Sequence, residues 1–311
     1  MNIYKQARLY WKLRRQVANA WDVTCQYVAR RGDMQVILRN GAVIVLRAAQ
    51  QDATIFRRIF AQDEYQLRGW ENRLGGDVVD LGANVGMFAC RIAQHATRVI
   101  CYEPMPENFA RLQENTASYR HVTCVRAAVS SSVGRMRIYC PINTSYSGGF
   151  SQYPIAELHQ TQAFEDVPAT TLAAVFAEHA ITRCGLLKMD VEGGEYDILY
   201  AAPAEVLGRI ERIAGEYHNV QPDDPRAQMD ALAAHLNQHG FDVELVPKRR
   251  LPNHGLFFAR RAAGGGPGRT VYRGPGAHMA PAVRSKPNGR RNRGRAGWFD
   301  EKLRICYTSP Y

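Results

Sequence analysis

The stretch Val78-Val79-Asp80-Leu81-Gly82-Ala83-Asn84-Val85-Gly86 narrows the possible folds of this chain more than any other. A short apolar run closes on Asp80, Gly82 and Gly86 bracket a tight turn, and Met87-Phe88-Ala89-Cys90-Arg91-Ile92-Ala93 resumes at helical spacing. The pattern predicts a strand, a glycine loop and the start of a helix. Glycines in such a loop let backbone amides come close to a bound molecule, because no side chain intervenes. The ligand is therefore expected to be nucleotide-like or anionic.

Spacing then selects among such ligands. A dinucleotide loop needs glycine at its first, third and sixth positions, and counting from Gly82 these hold Gly82, Asn84 and Met87. No Gly-Lys-Ser/Thr follows to form a nucleoside triphosphate loop. A cofactor without phosphates fits better. One strand later, Val99-Ile100-Cys101-Tyr102-Glu103-Pro104 closes on a carboxylate able to accept hydrogen bonds from both hydroxyls of a ribose. A ribose without a diphosphate points to S-adenosylmethionine.

The net charge of +11 suggests a nucleic-acid partner until it is divided along the chain. Residues 1–31 carry seven Lys/Arg against one Asp, and residues 261–311 carry eleven against two acids. The middle, residues 32–260, has twenty-two Lys/Arg against twenty-six acids, which excludes a basic body and leaves no strong case for a nucleic-acid partner. Cys25, Cys90, Cys101, Cys124, Cys140, Cys184 and Cys306 are odd in number and include no Cys-x-x-Cys pair. Several sit in apolar strand-like runs, where a reduced cysteine acts as a small hydrophobe. Without a signal-peptide run or a membrane-span-length apolar stretch, a reducing, cytoplasmic setting is expected.

Three parts follow from the pattern along the chain: residues 1–74, 75–261 and 262–311. Ile3 to Trp21 reads as one basic amphipathic helix, with Arg8, Lys12, Arg14 and Arg15 between apolar positions. Such a helix can touch an anionic membrane surface or an acidic partner, though packing its stripe on its own domain is the commoner fate. Met34–Leu46, β-branched on both sides of Asn40-Gly41, predicts a hairpin. Residues 53–74 read as helical.

From Val78 onward strands and helices alternate, with Val122–Val129 as a third strand, Arg135–Cys140 as a fourth, and a polar, aromatic insertion over 141–166 expected to cover the substrate side. Phe241–Val246 and Gly255–Ala259 read as an antiparallel finishing pair. The expected fold is α/β, a mostly parallel sheet of about seven strands with helices on both faces. Residues 262–311, rich in Gly, Pro and Arg, lack apolar periodicity and are expected to be disordered. The Arg-Gly stretch Gly289–Arg295 offers RNA a contact, and an extension without function reads equally well.

Asp80-Leu81-Gly82-Ala83-Asn84-Val85-Gly86, Tyr102-Glu103-Pro104, Leu187-Lys188-Met189-Asp190-Val191-Glu192-Gly193-Gly194-Glu195 and Glu216-Tyr217-His218 together resemble the FkbM family of S-adenosylmethionine-dependent methyltransferases. The resemblance spans roughly Val78 to Val246. It implies a class I methyltransferase (Rossmann-like) sheet and transfer to a hydroxyl of a sugar, glycolipid or other secondary metabolite, so that the partner is a small-molecule or glycan acceptor. It also implies cofactor contacts from Asp80, Gly82, Asn84, Gly86 and Glu103, with Ala128 toward the adenine end.

The residues themselves place the chemistry in the same region. Asp80, Glu103, Asp190 and His218 all fall at or just past strand carboxyl ends, where open α/β sheets bind ligands. Period two puts Glu216 and His218 on one side of their strand. Methyl transfer needs the acceptor aligned in line and its proton removed. His218, with an ordinary pKa of about 6.5, is the expected base, and Asp190 or Glu216 orients it or holds the acceptor. Glu192 and Glu195 read as complements to a helix N-terminus. Asp190, Glu216 and His218 also suit a divalent metal, although no spacing demands one. Two other classes stay open: a nucleic-acid methyltransferase gripping through the basic ends, and a non-catalytic binding protein on the same fold. Against the first, Asp190-Val191-Glu192-Gly193 stands where exocyclic-amine methylation uses Asn/Asp-Pro-Pro-aromatic.

Overall fold

A computed structural model of the chain describes residues 3–29, 32–47, 51–142, 149–153, 159–218, 225–248 and 251–273. The strands in chain order are β1 (Met34–Ile37), β2 (Val43–Leu46), β3 (Asp77–Leu81), β4 (Val99–Tyr102), β5 (Val122–Val125), β6 (Ala128–Ser130) and β7 (Gly134–Pro141). They continue with β8 (His159–Thr171), β9 (Cys184–Met189), β10 (Arg212–His218), β11 (Phe241–Lys248), β12 (Leu251–Arg261) and β13 (Thr270–Tyr272). The helices are α1 (Ile3–Leu13), α2 (Ala20–Ala29), α3 (Asp52–Phe56), α4 (Met87–Ile92), α5 (Pro106–Thr116), α6 (Leu172–Glu178), α7 (Glu195–Ala201), α8 (Ala204–Gly208) and α9 (Pro225–Gln238).

The main sheet has the order β13-β11-β12-β10-β9-β3-β4-β5. Within it β12 alone runs against its neighbours, pairing antiparallel with β10 and with β11. Every residue of β4 and β9 is buried, as expected of central parallel strands covered on both faces. From β3 the chain winds outward through β4 to β5, then returns to place β9 on the other side of β3. The order therefore reverses between β3 and β9, and a crevice opens at their carboxyl ends.

Four expectations are corrected. The segment Val122–Val129 is two strands, because β4 ends at Tyr102 opposite Val125 and offers no ladder beyond it, so Ala128–Ser130 pair instead with β8. Together β6, β8 and β7 make a separate small sheet. The N-terminal helix breaks into α1 and α2: Val17 bridges Leu38, and Asn19 exchanges hydrogen bonds with the backbone of Gln35 and Ile37 in the hairpin. Residues 53–74 hold only short pieces, α3, a π-helical turn Arg57–Ala61 and a 3-10 turn Glu71–Arg73, with Asp63 and Gln66 at positive φ of 58° and 51° interrupting them. The sheet has eight strands rather than seven, since Thr270–Tyr272 add a parallel edge to β11 beyond the expected end at residue 261.

The hairpin forms as the Asn40-Gly41 pair predicts, with Ile37 opposite Val43 and Gly41 at φ 87°. The 141–166 insertion is not irregular throughout, because residues 159–166 belong to β8 and pair with β7, whereas residues 143–148 and 154–158 lie outside the described residues, as does the tail from 274, including Gly289–Arg295. The six described cysteines are free thiols. Among the described residues no helix is long and apolar enough to cross a membrane.

Candidate active site

At the carboxyl end of β3 the chain turns through Gly82, Asn84 and Gly86, all at positive φ, 72°, 50° and 85°. A Cβ on Gly82 would collide with the carbonyl oxygen of Asp190 on the neighbouring strand end. Glycine is thus required for the loop to lie against β9. Gly86 caps the N-terminus of α4, where a Cβ would come 2.9 Å from Leu112 Cδ1. Asn84 tolerates the left-handed conformation because its own Oδ1 accepts the Val85 amide at 2.7 Å.

Glu103, at the end of β4, faces this turn. Its Oε2 accepts the Asn84 N–H at 2.8 Å and its Oε1 accepts the Met105 N–H at 3.0 Å. The Asn108 side chain hydrogen-bonds the same carboxylate, so three of its roughly four acceptor positions are taken and one is left for an incoming donor. Burial pushes the Glu103 carboxyl up to about 7 despite those amide bonds. Asp80 is placed differently from expectation. It is wholly buried beneath the turn, 3.0 Å from the Lys188 ammonium, and does not line the cavity. Lys188 Nζ in turn donates to the Gly82 carbonyl at 2.7 Å. Asp80 therefore acts on the loop through Lys188, a buried cation inside an otherwise apolar strand.

A single cavity of about 590 Å³ runs along the crevice. Gly82, Asn84, Glu103 and Ala128 line one end, with Met136 and Ile138 of the small sheet forming a wall, whereas Gly86 stays behind the turn. Asp190, Glu192, Glu216 and His218 line the other end. Phe150 and Gln152, from the described part of the insertion, also face the cavity, and Ser151 Oγ donates to the Glu192 carbonyl at 2.5 Å.

The far end is a network of charges. Glu216 is held between Arg58, at 2.5 Å, and Lys248, and although burial opposes its ionisation these cations and His218 bring its pKa down to about 2. Tyr65 Oη donates to Asp190 Oδ2 at 3.2 Å, leaving Oδ1 for a second donor. His218 Nδ1 lies 3.0 Å from Glu195 Oε1, and its Nε2 lies 3.2 Å from Glu192 Oε2 and 3.8 Å from Glu216 Oε1. Burial alone would lower the pKa of this histidine. The surrounding carboxylates of Glu192, Glu195 and Glu216 win and push it up to about 10.

The expectation is of an imidazole poised near neutrality; these carboxylates instead favour its protonated form, while burial beside the same acids pushes the Glu192 carboxyl up to about 8. Glu195 both opens α7 and holds His218, while its two oxygens take the Val191 and Gly193 amides at 3.3 and 3.0 Å. Glu192 faces His218 rather than serving the helix alone. Donor atoms of Asp190, Glu216 and His218 lie within 4.8 Å of one another, a span that suits a divalent cation, yet both Glu216 oxygens and His218 Nδ1 already have partners.

Sequence reasoning missed Arg58, Tyr65, Lys188 and Lys248. Lys188 carried a local signal, a lysine within Leu186–Met189 that is intelligible only with a buried counter-ion. The other three come from separate segments and meet the site only in the folded chain.

A doubly wound sheet with a glycine turn at its switch point, facing a strand-end glutamate, defines a class I methyltransferase. A family model described as the methyltransferase FkbM domain matches residues 80–243. The chain belongs to this family and is a methyltransferase, and family and fold imply use of S-adenosylmethionine. It is 29% identical over 233 residues to 31-O-demethyl-FK506 methyltransferase FkbM of Streptomyces tacrolimicus, covering 66% of this chain and 88% of that protein. It is 24% identical over 221 residues to methyltransferase sdnD of Sordaria araneosa, covering 61% and 82%. An rRNA methylase structure from Streptococcus thermophilus aligns with a TM-score of 0.39 at 10% identity, over 66% of this chain and 97% of that one, too distant a likeness to bear on the reaction.

Proposed function

We propose that the chain transfers a methyl group from S-adenosylmethionine to a hydroxyl of a sugar, glycolipid or other secondary metabolite. The observation that carries this reading is the continuity of one cavity from the glycine turn and Glu103 to Asp190 and His218. The turn fits an adenosyl group: its backbone is left open by glycine, and Glu103 retains an acceptor position for a ribose hydroxyl. Bound S-adenosylmethionine supplies a methyl on a positively charged sulfur. The Streptomyces relative is, by its name, a methyltransferase for a 31-O-demethyl compound, which supports oxygen as the atom modified.

The residues divide the remaining work. Asp190 sits on the strand end pressed against Gly82, as close to the donor loop as backbone contact allows, and its Oδ1 takes the hydroxyl proton. His218, held through Nδ1 by Glu195, donates from Nε2 to an oxygen of the acceptor in place of Glu192 and holds the acceptor in line. Glu216, pinned by Arg58 and Lys248, keeps that corner negative. Transfer of labelled methyl from S-adenosylmethionine to a panel of glycans and polyhydroxylated metabolites tests the proposal. Label on acceptor oxygen is expected, and label confined to nucleic acid overturns it.

A further inference from the structure

We infer that the outward face of α1 and the start of α2 docks the protein on an anionic lipid bilayer. α1 has two apolar sides. On the inner one Leu9 and Leu13 are buried, and Arg39 fixes the helix end by donating from Nε and Nη2 to the Arg14 carbonyl at 2.9 and 2.8 Å. The outer side stays in solvent: Tyr4 is 78% exposed, Trp11 60% and Trp21 58%. Tyr4, Arg8 and Trp11 follow one another at intervals of three or four residues along α1, so they form a single stripe. Tyr10 joins it to α2, with ring centroids 6.0 Å from Trp11 and 5.8 Å from Trp21, and the Arg14 guanidinium lies 4.1 Å over Trp11.

The cations around this patch lack counter-charges. Burial, together with Arg8, Arg68 and Arg57, lowers the Lys12 pKa, which places these four positive groups close together. Among the described residues no carboxylate forms an ion pair with Arg8, Lys12, Arg14, Arg15, Arg57 or Arg68. Exposed tryptophan and tyrosine interleaved with unpaired Arg and Lys match the headgroup region of a bilayer, where amphipathic rings settle at the interface and basic side chains meet anionic lipid. A single-stranded nucleic acid fits less well, because it needs rings free to stack with successive bases. Here Trp11 and Trp21 pack on Tyr10, and Arg14 covers Trp11.

Flotation of the full chain with vesicles tests the inference, using phosphatidylcholine alone or mixed with phosphatidylglycerol. Wild type is expected to float with the mixed vesicles and not with the neutral ones. The double variant Arg8→Glu/Lys12→Glu, whose thermal unfolding should match wild type, is expected to lose more than about tenfold in partitioning. Brominated lipid should quench the tryptophan fluorescence of wild type, a readout independent of any variant. Undiminished binding by the double variant, or absence of quenching, overturns the inference. So does self-association, or RNA binding in place of vesicle binding, that disappears in Trp11→Ala/Trp21→Ala.

Discussion

The two ends of the cleft are built by different means. At the end we assign to the donor, the parts are backbone ones: a left-handed glycine turn, amide groups of Asn84 and Met105, and one carboxylate, Glu103, fixed by them. At the acceptor end side chains from five separate segments, carrying Arg58, Tyr65, Asp190, Glu216 with His218, and Lys248, balance one another's charge. The first is a local device that fits within some twenty-five residues of chain. The second exists only once the sheet is assembled. A backbone-built site is suited to an invariant cofactor, whereas a network of side chains can be re-tuned to a new acceptor without disturbing the donor.

This contrast can be broken most sharply at Asp190. Asp190→Asn should cut turnover by on the order of 10²–10⁴ while leaving S-adenosylmethionine affinity unchanged, measured by single-turnover kinetics beside calorimetry. Comparable losses in both quantities would erase the division between the two ends. Lys188 lies between them, and its effect should be on stability. Lys188→Met removes the counter-ion of wholly buried Asp80, which must then stay charged and unpaired or take up a proton, and should lower unfolding free energy by up to about 3–5 kcal/mol in urea titrations. A near-neutral result would mean that the pair does not hold the turn.

Smaller effects are expected of the remaining changes. Glu103→Ala should weaken S-adenosylmethionine binding by roughly 1.5–3 kcal/mol, the worth of hydrogen bonds to a charged group, with little change in the rate at saturation. Equal affinity would remove Glu103 from the ribose. A chelator should leave turnover unaltered, since Arg58 and Lys248 already neutralise Glu216. Activity lost with chelator and restored by a divalent cation would instead make Asp190, Glu216 and His218 metal ligands.

The same contrast explains what could be read from the residues alone. The α/β winding, the hairpin at Asn40-Gly41, the glycine turn and Glu103 were legible because each depends on neighbours within one or two elements. So was the convergence of Asp190, Glu216 and His218, which follows from strand ends and period two. The upward pull on His218 was not legible: it depends on Glu192 and Glu195 folding back over the end of β10, against which burial acts in the opposite direction. Nor was the break after Val125, set by where β4 stops, or the edge strand Thr270–Tyr272, whose three residues carry no pattern of their own.

The state of His218 decides how the acceptor end works. With a folded pKa near 10 against an ordinary value of about 6.5, the stabilisation it gives is complete below about pH 6.5 and is lost as pH rises through about 10. The most direct measurement is an NMR titration of the His218 ring in the free enzyme, assigned with His218→Gln. A midpoint near 10 is expected, with the ring a cation throughout the neutral range. A midpoint near 6.5 would restore His218 as the base and contradict the role given to Asp190.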